Sequence, residues 1–203
     1  MAIVSIFMEG FEQFVAAAMQ SEDPGLVVSS AVKFPVTRRT KKQAYEETQT
    51  HGYEADLVGA NANQIVLATV KSFFGSRGVV ATAVAGTGSS AGLYRLLNDA
   101  FIRDEVIKAA AERYGYKPDQ VFLRLDVGKF SGKGEATVRA WCAKQRLASG
   151  PIEVYNVKEV VQLVKRKAGQ TSYIDNASIA ALKVLEAAGE IDLPKARKGS
   201  EFA

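Results

Sequence analysis

The sequence is poor in the two residues that most often bind transition metals. One cysteine, Cys142, and one histidine, His51, occur in 203 residues. A single cysteine excludes a disulfide within the chain, and together the two residues exclude zinc sites built from several cysteines and histidines. A chain without disulfides suits a reducing compartment, so we expect a cytoplasmic location.

Long apolar runs are also missing, although hydrophobic residues make up 47% of the chain. A helix that spans a bilayer needs about 20 consecutive apolar residues, and no segment comes near this length. The first residues also lack the basic region and apolar core of a secretory signal. We therefore expect no membrane partner, and a chain of this length can bury a sizeable core.

Positive charge is in mild excess, with a net charge of +4 and an isoelectric point of about 9.1. This excess favours either an anionic partner or solubility alone. Its densest cluster, in the polar segment 37–49, consists of Arg38, Arg39, Lys41 and Lys42. We interpret this segment as a loop between two strands, which either contacts nucleic-acid phosphates or is merely solvated.

The segment 53–77 predicts a β-hairpin. Residues 53–58 alternate in polarity, 59–63 are turn formers, and 65–71 are rich in aliphatic and β-branched residues. On the first strand Glu54 and Asp56 share a face, and on the second Thr69 and Lys71 do so. We therefore expect Asp56 to lie beside Lys71. A carboxylate can bind a divalent metal, and a lysine can offset phosphate charge.

These residues resemble the PD-(D/E)XK nuclease superfamily, whose motif has an acidic residue on one strand and an acid-x-lysine sequence on the next. Asp56 matches the first acidic position, Lys71 matches the lysine, and Thr69 stands at the middle acidic position. The resemblance implies a restriction-endonuclease-like α/β fold, with an αβββαβ core and a mixed sheet. It also implies a DNA partner, Mg²⁺ as cofactor, and metal-assisted phosphodiester hydrolysis.

Thr69 departs from the superfamily motif, because a hydroxyl cannot supply the negative charge that a hard cation requires. Either another carboxylate completes the site, or the chain binds DNA without cutting it, or the residue was changed on purpose. Glu54 is the nearest candidate and, with Asp56, forms the expected metal site. Other candidates lie on the first helix and on a later helix: Glu9, Glu12, Asp104 and Glu105.

The loop after the second strand of the hairpin carries further polar candidates. Ser72, Ser76 and Arg77 are placed to donate hydrogen bonds to phosphates beside Lys71. Phe73 and Phe74 are expected to fill the core below this loop.

The remaining elements follow the αβββαβ order. We expect helices at 9–19, 93–114 and 135–147, strands at 26–36 and 120–130, and a strand or buried lead-in at 79–85. We divide the chain into a core domain (1–150), a strand with a helical pair (151–194), and a tail (195–203) that is partly cloning-derived. The helical pair either packs on the core or reads DNA as a helix-turn-helix, and a homodimer is left open.

One motif favours a different function. Gly86-x-Gly88-x-x-Ala91 before a helix resembles the dinucleotide-binding fingerprint. It would make the chain a Rossmann-like nucleotide or S-adenosylmethionine binder. The acidic residue that should end the next strand is too far along the chain, at Asp126. The hypotheses are therefore a metal-dependent nuclease, an inactive DNA-binding module of the same fold, and this nucleotide binder.

Overall fold

The computed structural model of the protein describes residues 10–42, 45–170 and 176–194, without the side chains of residues 40–42 and 45–47. Within these residues the fold is α/β, with a five-stranded mixed sheet and seven α-helices. Glu9, the side chains of Lys41 and Lys42, and the tail 195–203 lie outside the described residues.

Along the described chain one helix comes first, followed by three strands, three helices, a strand, a helix, a strand and two helices. The strands are β1 (Val27–Lys42), β2 (Tyr45–Ala60), β3 (Ile65–Lys71), β4 (Val121–Val127) and β5 (Glu153–Asn156). The helices are α1 (Gly10–Glu22), α2 (Ala81–Val84), α3 (Arg95–Asn98), α4 (Ala100–Tyr114), α5 (Gly134–Ala143), α6 (Val157–Ala168) and α7 (Ala177–Ala187).

The strands lie in the sheet in the order in which they follow in the chain. β1, β2 and β3 pair antiparallel, whereas β4 and β5 continue the sheet in parallel with β3. The parallel step from β3 to β4 needs a crossover, which α2, α3 and α4 provide. No helix in the described part of the chain is long and apolar enough to cross a membrane.

Helices cover both faces of the sheet and create two cores. On one face α4 and α5 contribute Ile102, Val106 and Val138 to a core with the strands. On the other face α1, α6 and α7 contribute Val15, Val160 and Ile179. Because both faces are covered, β3 and β4 are almost entirely buried, and the sequence shows them as continuous apolar runs.

β1 and β2 are 16 residues each and form a long two-stranded ribbon. The prediction of a loop at 37–49 is therefore wrong, because β1 continues to Lys42 and β2 begins at Tyr45. β3 pairs with β2 only over residues 57–60, so no third strand among the described residues pairs with the outer ribbon. Thr37, Arg38 and Arg39 are exposed there. A ribbon exposed on both faces lacks the alternating polarity that predicts a strand.

Between β3 and β4 one expectation is partly confirmed and one is corrected. The segment 79–85 is a buried lead-in rather than a strand, since Val79, Ala83 and Val84 are buried and residues 81–84 form the short helix α2. The single helix expected at 93–114 is divided into a 3-10 turn, α3 and α4. The division lies at Asp99, whose side chain accepts a hydrogen bond from the Ile102 backbone N–H and so caps α4.

The carboxy-terminal helices begin at asparagine caps. At the start of α6, the Asn156 side chain accepts a hydrogen bond from the Glu159 backbone N–H. At the start of α7, the Asn176 side chain accepts hydrogen bonds from the backbone N–H groups of Ser178 and Ile179. Both helices share their core with α1. A role of these helices in reading DNA stays a prediction.

Candidate active site

β2 and β3 separate at Asp56, and this fork forms the candidate site. Their ladder ends at the pair Leu57 and Ala68, so Asp56 and Thr69 would be the next pair if the strands continued together. Instead of that backbone pairing, Asp56 Oδ2 accepts a hydrogen bond from the Val70 backbone N–H, with 2.6 Å between the oxygen and the nitrogen. The carboxylate thus bridges the fork and lies at the end of the shared ladder.

Lys71 binds the same carboxylate oxygen. Its Nζ lies 3.1 Å from Asp56 Oδ2, and neither this bond nor the one from Val70 uses Oδ1. The Asp56 side chain is 21% exposed and the Lys71 side chain is 19% exposed, so both are largely buried but reach solvent. The expected contact of Asp56 with Lys71 is therefore present, and the carboxylate has a second oxygen for another partner.

A distortion of β1 accompanies the fork. Ala31, which would face Asp56 in the register of β1 and β2, has no partner and a φ of 53°. A left-handed alanine is energetically unfavourable and marks a local bend in the strand. The sheet is thus irregular on both sides of Asp56, which is where the ribbon leaves it.

The loop after β3 is held against the end of β4 by a close backbone contact. The Gly128 N–H donates to the Lys71 carbonyl oxygen at 2.9 Å. A Cβ at Gly128 would lie 2.3 Å from the Ser72 carbonyl oxygen and 2.8 Å from the Phe74 ring. Only glycine allows this approach, which fixes the loop beside Lys71.

The expected roles of the two phenylalanines in this loop are only half right. Phe73 packs against the core with a φ of 47°, an uncommon backbone conformation for a bulky residue. Phe74 instead points outward with 57% of its surface exposed. The strained residue thus turns the two rings in different directions.

A cleft of about 590 Å³ opens over Asp56 and Lys71. Ser72 and Ser76, both expected near the lysine, line it. Glu12 of α1 lines the same cleft, so a second carboxylate is present from the first helix. Of the four other carboxylates considered from the sequence, Glu12 is the one that the described structure brings to this cleft.

The remaining acidic candidates are arranged differently. Glu54 lines a smaller adjoining cleft of about 230 Å³ together with Asp56, Thr69 and Lys71, and forms an ion pair with Lys33 at 3.6 Å. Asp104 on α4 pairs with Arg103 instead. No group of three or more histidine, cysteine, aspartate or glutamate residues arranged to hold a metal occurs in the described ranges.

Basic and hydroxyl side chains flank the other side of the site. Arg77, expected from the sequence, lies with Ser76, Ser89 and Ser90 on a cleft of about 490 Å³ that shares Leu93 with the main cleft. Arg95 lines the smaller cleft beside Asp56 and Lys71. Neither guanidinium has a hydrogen bond or an ion pair with another described residue. Two unpaired cations therefore lie next to the fork.

The cluster on the ribbon is separate from the cleft. Arg38 is paired with Gln49 on β2, seven residues from Asp56, which corresponds to about 23 Å along the strand. Its guanidinium carbon lies 5.5 Å from the centre of the Phe101 ring. Arg38 and the exposed Arg39 therefore extend the basic surface away from the fork rather than forming part of it.

Sequence reasoning missed Arg95, Leu93 and the exposure of Phe74. Arg95 and Leu93 belong to the segment expected as one helix, and their approach to Asp56 depends on the break before α4. The Asn98 side chain stabilises this turn by donating to the carbonyl oxygens of Ala83 and Ala91. No local pattern in the sequence indicates that tertiary contact.

A second ionic cluster lies on the opposite face of the sheet. Arg124 on β4 donates three hydrogen bonds to the buried Asp126, two of them from Nε, and a fourth to Glu22 of α1. The guanidinium carbon also lies 3.7 Å from the centre of the Tyr155 ring. Each of the three guanidinium nitrogens of Arg124 donates to a carboxylate within the fold, so the geometry of this cluster is that of a structural tie between α1 and the sheet.

The comparisons with known proteins add no assignment. The chain matches none of the protein families, curated proteins or solved structures with which it was compared. The functional argument therefore depends on the residues of the fork and the clefts around it.

Proposed function

We propose that this chain binds DNA at the fork and hydrolyses a phosphodiester bond there with a divalent metal ion. The observation that carries the proposal is the Asp56 carboxylate, bound to Lys71 and to the Val70 backbone N–H at the point where two strands part. This is the pairing that the PD-(D/E)XK motif requires on its second and third strands.

The topology supports the same assignment. The order of the elements agrees with an αβββαβ core and a mixed sheet: α1 is followed by three antiparallel strands, then by α4 and the parallel strand β4. We therefore propose a restriction-endonuclease-like core. Two short helices before α4 and the carboxy-terminal β5, α6 and α7 are additions to that core in this chain.

The donor set of the cleft fits Mg²⁺. Mg²⁺ usually binds through one or two carboxylates plus substrate phosphates, and Asp56 and Glu12 supply two carboxylates from different elements. When bound, the ion would polarise the phosphoryl oxygen and lower the pKa of the attacking water. We assign to Glu12 the part that we expected of Glu54, because Glu12 lines the cleft over Asp56 and Lys71, whereas Glu54 lines the smaller adjoining cleft.

The protein side chains then have distinct tasks. The Lys71 ammonium lies beside the position of the scissile phosphate and offsets the charge that develops on it. Arg77 and Arg95 bind neighbouring phosphates of the strand, because their charges lack partners within the described fold. Such an activity would serve phage or mobile-element DNA processing, restriction or repair.

Thr69 favours a second candidate, a DNA-binding module without cleavage. Its side chain is only 5% exposed and lines the smaller cleft with Asp56 and Lys71. A hydroxyl at this position leaves the site one carboxylate short of the motif. If Glu12 does not replace that carboxylate, the basic clefts would still bind DNA.

The nucleotide-binding alternative has less support. The fingerprint requires a strand directly before its first glycine, but α2 precedes Gly86 and a 3-10 turn follows it at Ala91. Gly88 packs tightly on α2, where a Cβ would lie 2.9 Å from the Ala83 backbone nitrogen. Packing thus accounts for Gly88, and a φ of 85° accounts for Gly86.

The test combines cleavage and binding on the same samples. Supercoiled, linear and single-stranded DNA are incubated with the protein in Mg²⁺ or Mn²⁺, alongside Lys71→Met and the control Lys108→Met on the exposed side of α4. Cleavage that Lys71→Met loses and Lys108→Met retains supports the nuclease. Binding without cleavage supports the inactive module, and the absence of both contradicts the DNA proposal.

A further inference from the structure

The cleft above Asp56 and Lys71 has two chemically different ends. One end continues into the hydroxyl-lined cleft that contains the unpaired Arg77. The other end shares Ser72 and Phe74 with an apolar pocket of about 470 Å³. The other side chains of that pocket are aromatic or aliphatic: Phe11, Phe14, Val157 and Val161.

Phe74 forms the wall between the reactive cleft and this pocket, and it is held in place. Its ring meets Phe11 edge to face, with centroids 5.3 Å apart and planes at 79°. The edge of the Phe74 ring also lies against Gly128, where a Cβ would come within 2.8 Å of the ring. A fixed aromatic ring with 57% of its surface exposed is a ready surface for stacking another flat ring.

A nucleotide has the same division as the cleft, with an anionic phosphate on one side and a flat, largely apolar base on the other. In a duplex the bases are stacked inside the helix, so a protein meets mainly phosphates and groove edges. A base can enter the pocket beside Phe74 only when it is unpaired. Aromatic side chains that stack successive bases are typical of proteins that bind single strands.

We infer that the pocket beside Phe74 binds an unpaired nucleobase of the strand whose phosphate lies at Asp56 and Lys71. This makes single-stranded DNA, or a frayed end or flap, the substrate class of the site. The inference depends on the proposed DNA-binding function and adds the requirement for an exposed base.

The experiment separates contacts to bases from contacts to phosphates. Fluorescence anisotropy in Ca²⁺ compares a 12-nucleotide oligo-dT, an abasic strand of the same length and charge, and a 12-base-pair duplex. The proteins are the wild type, Phe74→Leu, Phe74→Trp and the control Tyr114→Leu. Tyr114 is an exposed aromatic residue at the end of α4 that does not line the pocket.

We expect the wild type to bind oligo-dT more tightly than the abasic strand or the duplex. Phe74→Leu should weaken oligo-dT binding roughly 5- to 150-fold, the range expected for one stacked base, and leave the other two probes unchanged. Phe74→Trp and Tyr114→Leu should bind oligo-dT as the wild type does.

Four results would count against the inference or against the function on which it depends. Equal affinity of the wild type for oligo-dT and the abasic strand would show that no base is bound. Unchanged binding by Phe74→Leu, with a lower melting temperature, would assign the pocket to packing within the chain. A wild type that binds none of the probes would contradict the proposed function itself, whereas binding to the duplex alone would contradict only the inference.

Discussion

Restoring a carboxylate at position 69 is the sharpest perturbation of the site. Thr69 lines the same cleft as Asp56, one position beyond the end of the β2–β3 ladder, so we take about 6 Å, between the direct and diagonal separations in a sheet, for the distance between the carboxylates of Thr69→Glu and Asp56. At an effective dielectric constant of about 20, two unit charges at this distance repel by about 3 kcal/mol. Lys71 offsets a part of this energy, so we expect a net destabilisation of about 2 kcal/mol without metal.

The assay is thermal unfolding with and without divalent ions. For a chain of this size about 2 kcal/mol corresponds to a melting temperature lower by roughly 4–8 °C in EDTA. A metal ion at 100 times its dissociation constant adds about 2.7 kcal/mol, which would restore that loss. Thr69→Gln is the matched control, because it has the same shape and no charge.

The result depends on the difference between the two variants. We expect Mn²⁺ and Mg²⁺ to raise the melting temperature of Thr69→Glu strongly. The same ions should raise the melting temperature of Thr69→Gln only as much as they raise it for the wild type. If metal ions affect both variants equally, the fork does not bind a cation and the reasoning is refuted.

Three further predictions concern the scaffold around the site. Gly128→Ala brings a Cβ against the Ser72 carbonyl oxygen, so urea unfolding should show a loss of about 1–3 kcal/mol; an unchanged midpoint would contradict the close contact. Arg124→Ala leaves the fully buried Asp126 without its partner and should cost about 3–5 kcal/mol, part of which Asp126→Asn should recover in the double variant; a loss below 1 kcal/mol would refute this. Burial raises the pKa of the Cys142 thiol to about 12, so the thiol stays protonated at neutral pH. A disulfide reagent should therefore label Cys142 only as fast as the protein unfolds, and rapid labelling of the folded protein would contradict its burial.

Local patterns were sufficient for the central hairpin. The turn formers at 59–63 and the alternation before them indicated the strands, and with them the contact of Asp56 with Lys71. The buried runs that became β3 and β4 were also visible, because a strand covered on both faces is apolar throughout.

Other features depend on contacts that no local pattern records. The outer ribbon is polar on both faces, so its strand conformation follows only from the pairing of β1 with β2. The break before α4 is capped by Asp99 inside a segment whose apolar spacing suits one long helix. The approach of Glu12 to the fork follows from the packing of α1 on the sheet, and sequence reasoning offered it only as one of several alternatives. Arg95 reaches the site from α3 and was not predicted at all.

The most direct measurement of the central claim is the rate at which Asp56→Asn nicks supercoiled DNA in Mg²⁺, relative to the wild type and to the exposed control Asp119→Asn. Asparagine keeps the shape and the hydrogen-bond acceptor at the fork but removes the charge that binds a cation. We predict that the wild type and Asp119→Asn nick the DNA, and that Asp56→Asn binds it without nicking. Nicking by Asp56→Asn at the wild-type rate would contradict the assignment of the fork as the active site.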